Sequence, residues 1–173
     1  VLGDAAKGKT LTYVPHGINE KQFFPIDSHD ELEKLGKVKD SMFEGKDIEF
    51  LVFWNSRNIR RKSPGDVILS YRHFCDLIGK EKAKKCALVM HTQPIDNNGT
   101  DLVAVREAIC DPEYVNVFFS SNKLNTAQMN QLYNLAHVTM LISSNEGWGL
   151  SLTESMMAGT PIIANVTGGM QDQ

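Results

Sequence analysis

The 173-residue sequence has no apolar run approaching the roughly 20 residues that a membrane-crossing helix needs. Its opening, VLGDAAKGKT, lacks the apolar core of a signal peptide. There is no internal repeat and no low-complexity tract. Only three cysteines occur, Cys75, Cys86 and Cys110. They are odd in number, widely spaced and set among apolar neighbours, which points to reduced thiols in packing roles and a cytoplasmic setting. No close pair of cysteines or histidines completes a ligand set, so no metal site is expected. An excess of one charge is also missing: 18 Lys and Arg stand against 21 Asp and Glu, a net charge of −3. That balance gives no global attraction to nucleic acid or to an anionic membrane surface.

What is present is a core and an alternation. Hydrophobic residues make up 42% of the chain, enough for one independently folding domain over residues 1–173. Short apolar runs, LTYV (11–14), IEFLVFW (48–54), CALVMH (86–91), VNVFF (115–119), VTMLIS (138–143) and PIIAN (161–165), alternate with segments of helical spacing. Most are continuously apolar rather than alternating, so both faces of these strands are expected to be buried. Helices are predicted from Asp66 to Ile78 with Pro64 opening the segment, from Asp101 to Ile109, after a cap at Asn125, and from Leu150 to Ala158, closed by Gly159 and Pro161. Residues 28–45 read as an irregular surface helix. The pattern is α/β: an open doubly wound parallel sheet, Rossmann-like, which binds ligands in the crevice beyond the carboxyl ends of its strands.

The stretch SSNEGWGLSLTESMMAGTPII, Ser143 to Ile163, leads from a strand into a helix at that crevice. Gly147 and Gly149 allow a sharp turn and a close ligand approach. The amides of Gly149, Leu150 and Ser151 fall at a helix N-terminus, where unpaired N–H groups favour a phosphate. Two carboxylates flank this anion site. On one continuous helix Glu146 and Glu154 would be about 12 Å apart, too far for the roughly 5–9.5 Å of a glycosidase pair. If the helix starts after Glu146, Glu154 lies about 7 Å beyond the anion site, the reach from a diphosphate to a ribose. Glu154 would then take the ribose hydroxyls, the helix start the phosphates, and Glu146 whatever hangs beyond, which is the layout of a nucleotide sugar.

The same stretch, with its Glu, seven residues, Glu motif and its Gly-Thr-Pro-Ile-Ile before Gly168-Gly169, resembles the signature of the retaining glycosyltransferases of family 4 (group 1). Trp148, Ser155 and Met157 depart from that pattern. VPHGIN with FFP, from Val14 to Pro25, is similar to the family's entry into its second domain, with Asn19 where an aspartate is usual. WNSRNIRRKSP is similar to its glycine-arginine, four residues, lysine-glycine loop; Arg57 and Lys62 keep the spacing, while Ser56 and Ser63 replace the glycines. The resemblance implies one half of a GT-B fold, the C-terminal donor-binding domain, taken from a longer two-domain chain and truncated at its C-terminus. It implies a nucleoside diphosphate sugar as donor substrate, no cofactor or metal, and an N-terminal acceptor-binding domain of the same protein as partner, with membrane association only through parts outside this chain. Arg57 and Lys62 would stabilise the departing diphosphate, Glu146 would orient sugar hydroxyls, and Glu154, Gly147, Trp148, Gly149, Leu150 and Ser151 would bind the donor, with His16 and Gly17 at the edge of the cleft.

Plainer readings stand beside these. Arg60 and Arg61 read as solvent-facing, KEKAKK (80–85) as a polar helix end, and His73, His91 and His137 as structural. A non-catalytic nucleotide-sugar-binding module and an epimerase or phosphorylase-like enzyme using the same donor site are the competing functions. A dinucleotide-dependent dehydrogenase ranks below them, because no Gly-x-Gly-x-x-Gly opens the first β-α unit.

Overall fold

A computed structural model describes residues 3–173. Five parallel strands, β1 (Phe50–Asn55), β2 (Cys86–His91), β3 (Asn116–Ser120), β4 (Val138–Leu141) and β5 (Ile162–Ala164), form one sheet in the order β3-β2-β1-β4-β5. The helices are α1 (His29–Met42), α2 (Pro64–Ile78), the single turn α3 (Lys80–Ala83), α4 (Leu102–Ile109), α5 (Thr126–Leu135) and α6 (Leu150–Met157). This is the α/β Rossmann-like fold that the alternation implied.

Both faces of the sheet are covered, as continuous apolar runs require. Along β1 the side chains alternate: Val52 and Trp54 join one core with Leu88, Met90, Val67, Ile68 and Tyr71. Leu51 and Phe53 join the opposite core with Ala87, Val89, Leu132, Tyr133, Phe23 and Phe43. β1 pairs with β2 from Phe50 opposite Cys86 to Asn55 opposite His91, and with β4 through Val52 opposite Val138. Consecutive strands β1 and β2 lie on one side, and the chain then crosses back to place β4 on the other. The crevice between the ends of β1 and β4 is therefore a topological switch point.

Local chemistry sets the helix starts. Pro64 opens α2, where a missing N–H costs nothing. Asp101 caps α4 by accepting from the Ala104 amide, and Asn125 forms a reciprocal capping box with Gln128.

One expected strand is not in the sheet. Residues 11–14 form no strand, and Leu11, Tyr13 and Val14 are exposed. An apolar run signals an extended conformation but does not specify what pairs with it. The following segment does return to the core: Phe23 is buried, and the Phe24 and Ile26 amides donate to the side chains of Asn130 and Asn134 on α5.

Candidate functional site

β1 delivers Asn55 and Ser56 to the switch point, and the loop after them carries Lys62 back over it. From β4 the chain runs through Ser143 and Glu146 to Gly147, Trp148 and Gly149, and α6 begins at Leu150. These two connections are fastened together, the Ser144 amide donating to the Arg61 carbonyl at 2.8 Å, and from the other side the Asn165 side chain, just after β5, donates to the carbonyls of Ile142 and Ser143. Between them lies a cleft of about 400 Å³ lined by His16, Asn55, Ser56, Lys62, Glu146, Gly147, Trp148, Gly149, Leu150, Ser151 and Glu154.

Glu146 is 6% exposed and satisfied from three sides. Lys62 Nζ and Ser143 Oγ donate to Oε1, the serine at 2.8 Å, and Arg61 Nη1 donates to Oε2 at 3.2 Å. Burial alone would raise its pKa, but the bonds from Lys62, Ser143 and Arg61 outweigh that and hold it below the ordinary carboxylate value. The carboxylate is ionised at neutral pH. Glu154, on α6, behaves oppositely: burial raises its pKa, and a hydrogen bond from Tyr133 opposes the rise only in part. Tyr133 Oη donates to Glu154 Oε2 at 2.6 Å.

Gly149 precedes α6 with φ +90° and ψ 54°, in the left-handed region, and no side chain caps the helix. The first amides of α6 are thus left to the cleft. The turn Gly168–Asp172 backs this loop. The Gly169 amide donates to the Glu146 carbonyl at 3.2 Å, and the Gln173 side chain donates to the Trp148 carbonyl. Trp148 is half-buried, its indole N–H donates to Thr153 Oγ1 at 2.9 Å, and its ring lies 5.6 Å from that of His16. Gly17, exposed beside His16, does not line the cleft.

Of the expected site residues, Lys62, Glu146, Gly147, Trp148, Gly149, Leu150, Ser151, Glu154 and His16 share this cleft, and Arg57 does not. Arg57 is fastened to Asp96, Nε to Oδ2 at 2.9 Å, in an adjoining pocket with His91, Thr92, Gln93, Ser120 and Ser121. The arginine holds the Asp96 carboxyl below its ordinary value. Arg61 is exposed, as read from the sequence, and from the surface its guanidinium donates to Glu146 and to the Asn145 carbonyl at 2.8 Å. A run of four basic residues does not reveal which of them reaches the buried carboxylate. Asn55 and Tyr133 escaped the sequence reading. A polar residue closing an apolar strand at the crevice was the available signal for the first, whereas Tyr133 is indistinguishable from a core position of an amphipathic helix. Among the described residues, no group of three or more His, Cys, Asp or Glu is placed to hold a metal ion, and no helix is long and apolar enough to cross a membrane.

Residues 113–173 match the family model described as glycosyl transferases group 1. The matched stretch carries Glu146 and Glu154 but not Lys62. No curated protein matches the chain. Among solved structures, the chain is similar to the C-terminal domain of a glycosyl transferase group 1 family protein, LpcC, from Francisella tularensis, with 16% identity and a TM-score of 0.64 over 88% of this chain and 72% of that one. It is similar to WaaG, a glycosyltransferase involved in lipopolysaccharide biosynthesis, with 17% identity and a TM-score of 0.65 over 91% of this chain and 39% of that one. A sucrose-phosphate synthase from Thermosynechococcus elongatus gives 22% identity and a TM-score of 0.63 over 91% and 35%. The chain thus spans just over a third of the latter two. At these identities the likeness shows the fold alone, and the family match is confined to residues 113–173.

Proposed function

We propose that this domain binds a nucleoside diphosphate sugar and forms the donor half of a two-domain retaining glycosyltransferase of family 4, whose N-terminal domain holds most of the acceptor. The observation that carries the reading is the convergence, in one cleft at the switch point, of an uncapped helix start, a lysine and two carboxylates of opposite character. Each suits a different part of one ligand. The amides at the start of α6 and the Lys62 ammonium favour the diphosphate, where negative charge grows as the bond to the sugar breaks. These donors are held in place before the reaction, so little reorganisation opposes their action. Glu146, ionised and fixed by Lys62, Arg61 and Ser143, accepts from sugar hydroxyls. Glu154 faces the ribose with the oxygen that Tyr133 leaves free. Transfer of a hexose-type group with retention is the expectation that the motif resemblance adds. Arg57 would reach the diphosphate only by leaving Asp96, so it contributes less than Lys62.

The test is binding and transfer by the full-length protein with UDP-, ADP- and GDP-sugars. One of them should raise the melting temperature, because a ligand that binds only the folded state stabilises it by mass action. Lys62→Ala should lower transfer by about 100-fold or more, the scale of losing one preorganised donor to a developing anion. Arg57→Ala should cost about tenfold or less, since its guanidinium lies outside the cleft that Lys62 lines. Stabilisation by NADH but by none of the nucleotide sugars would overturn the proposal.

A further inference from the structure

Glu154 does not hold itself in place. Tyr133, on the neighbouring helix α5, is fully buried, and its ring stands edge-on to Phe53 at 5.2 Å and Phe23 at 5.9 Å. Its main chain is anchored too, the carbonyl accepting from Thr160 Oγ1 at 2.6 Å just beyond α6. The phenol oxygen is therefore a fixed point. It accepts from Asn55 Nδ2 at 2.9 Å and donates to Glu154 Oε2 at 2.6 Å. The direction of this chain follows from the donors available. The Asn55 amide nitrogen can only donate, so the single phenol proton goes to the carboxylate. Burial, and next the charge on Glu154, push the phenol pKa well above its ordinary value, which keeps that proton on the tyrosine.

From this arrangement we infer that Tyr133, oriented by Asn55, is a positioning residue: by binding Oε2 it turns Oε1 of Glu154 into the cleft and so sets discrimination for the ribose. Oε1 has no hydrogen-bond partner among the described residues, and Asn55 and Glu154 both line the cleft. The inference rests on the proposal that Glu154 meets the ribose. It adds a residue that touches no ligand yet decides how well that contact is made. Without the phenol a half-buried carboxylate is free to rotate, and part of any affinity gained from the hydroxyl is spent on fixing it.

The experiment is calorimetry on the full-length protein with UDP, ADP and GDP, followed by the 2′-deoxy and 3′-deoxy forms of whichever binds most tightly. The unmodified protein should lose about tenfold or more in affinity for at least one deoxy form. In Tyr133→Phe, which keeps the ring and its packing, affinity for the ribonucleotide should fall about five- to tenfold and affinity for that deoxy form should hardly change, so that discrimination collapses. Tyr133→Phe added to Glu154→Gln should cost nothing further. Asn55→Ala, which releases the phenol without touching its ring, should move discrimination in the same direction and guards against a folding effect in the first variant. Discrimination kept by Tyr133→Phe and Asn55→Ala but lost by Glu154→Gln overturns this inference alone. Discrimination kept by Glu154→Gln, or no binding of any of the three diphosphates, overturns the ribose reading on which it stands.

Discussion

Glu146 and Glu154 share a cleft, yet folding treats their charges in opposite ways, and the difference can be measured without any ligand. Glu146 has its pKa lowered despite burial, so its stabilising contribution is complete above the ordinary carboxylate range and is lost as pH falls through the lowered folded value. Glu154 has its pKa raised by burial, so its ionised form is a cost at neutral pH that disappears as pH falls through the raised folded value. Glu146→Gln should therefore destabilise the protein at pH 7, by about 3 kcal/mol, because it strands the largely buried Lys62. Glu154→Gln keeps an acceptor for Tyr133 and removes the charge. It should raise the melting temperature at pH 7 by about 2 °C, with the gain vanishing toward pH 4 while nucleotide affinity falls. Thermal denaturation across pH checks both signs. A loss of stability for Glu154→Gln at neutral pH would contradict the reading. Neither sign was legible in the sequence, where both residues are a glutamate in the same motif. The sign depends on the burial of Glu154 and on Lys62 and Arg61, which reach Glu146 across the fold.

At the scale of elements, the turn into α6 separates what the backbone needs from what a ligand needs. Gly149 sits at φ +90°, and a Cβ there would stand 3.1 Å from Met170 Cγ. A Cβ on Gly169 would stand 2.1 Å from the Gly147 carbonyl oxygen. Gly149→Ala and Gly169→Ala should each cost about 1–3 kcal/mol of stability. Gly147 has ordinary φ and nothing within 4 Å of a Cβ. Gly147→Ala should leave the melting temperature within about 1 °C and yet weaken nucleotide-sugar binding, because the space it fills faces the cleft. Equal stability losses in Gly147→Ala and Gly149→Ala would remove the case for a ligand-reserved gap. Elements were the most legible level. Continuous apolar runs, Pro64, Asn125 and Gly159 marked strands and helix ends through local sterics and hydrogen bonding, which a single sequence records. LTYV carried the same local signal without a partner in the sheet, and Arg57 kept the motif spacing while its side chain went to Asp96. Those outcomes are decided by tertiary contacts.

The whole molecule is stiff in the middle and thin at one side, and the cleft straddles the two. β1 and β2 are paired on both sides and buried on both faces. β5 has three residues, pairs only with β4, and leaves Ile163 48% exposed. Lys62 and Asn55 hang from the stiff part. Glu146 and the start of α6 depend on the thin part, because Gly169 in the Gly168–Asp172 turn and Gln173 just after it bond to the Glu146 and Trp148 carbonyls. Amide exchange should divide accordingly, with β1 and β2 opening only on global unfolding and residues 162–173 opening locally at far lower free energy. None of residues 168–172 lines the cleft, yet a nucleotide diphosphate seated on α6 should slow exchange there as well as at 147–152. The Gly169 amide is bonded to the Glu146 carbonyl, and holding the one loop holds the other. Protection confined to 147–152 would show that the two segments move independently, and that the cleft is organised from β1 and α6 alone.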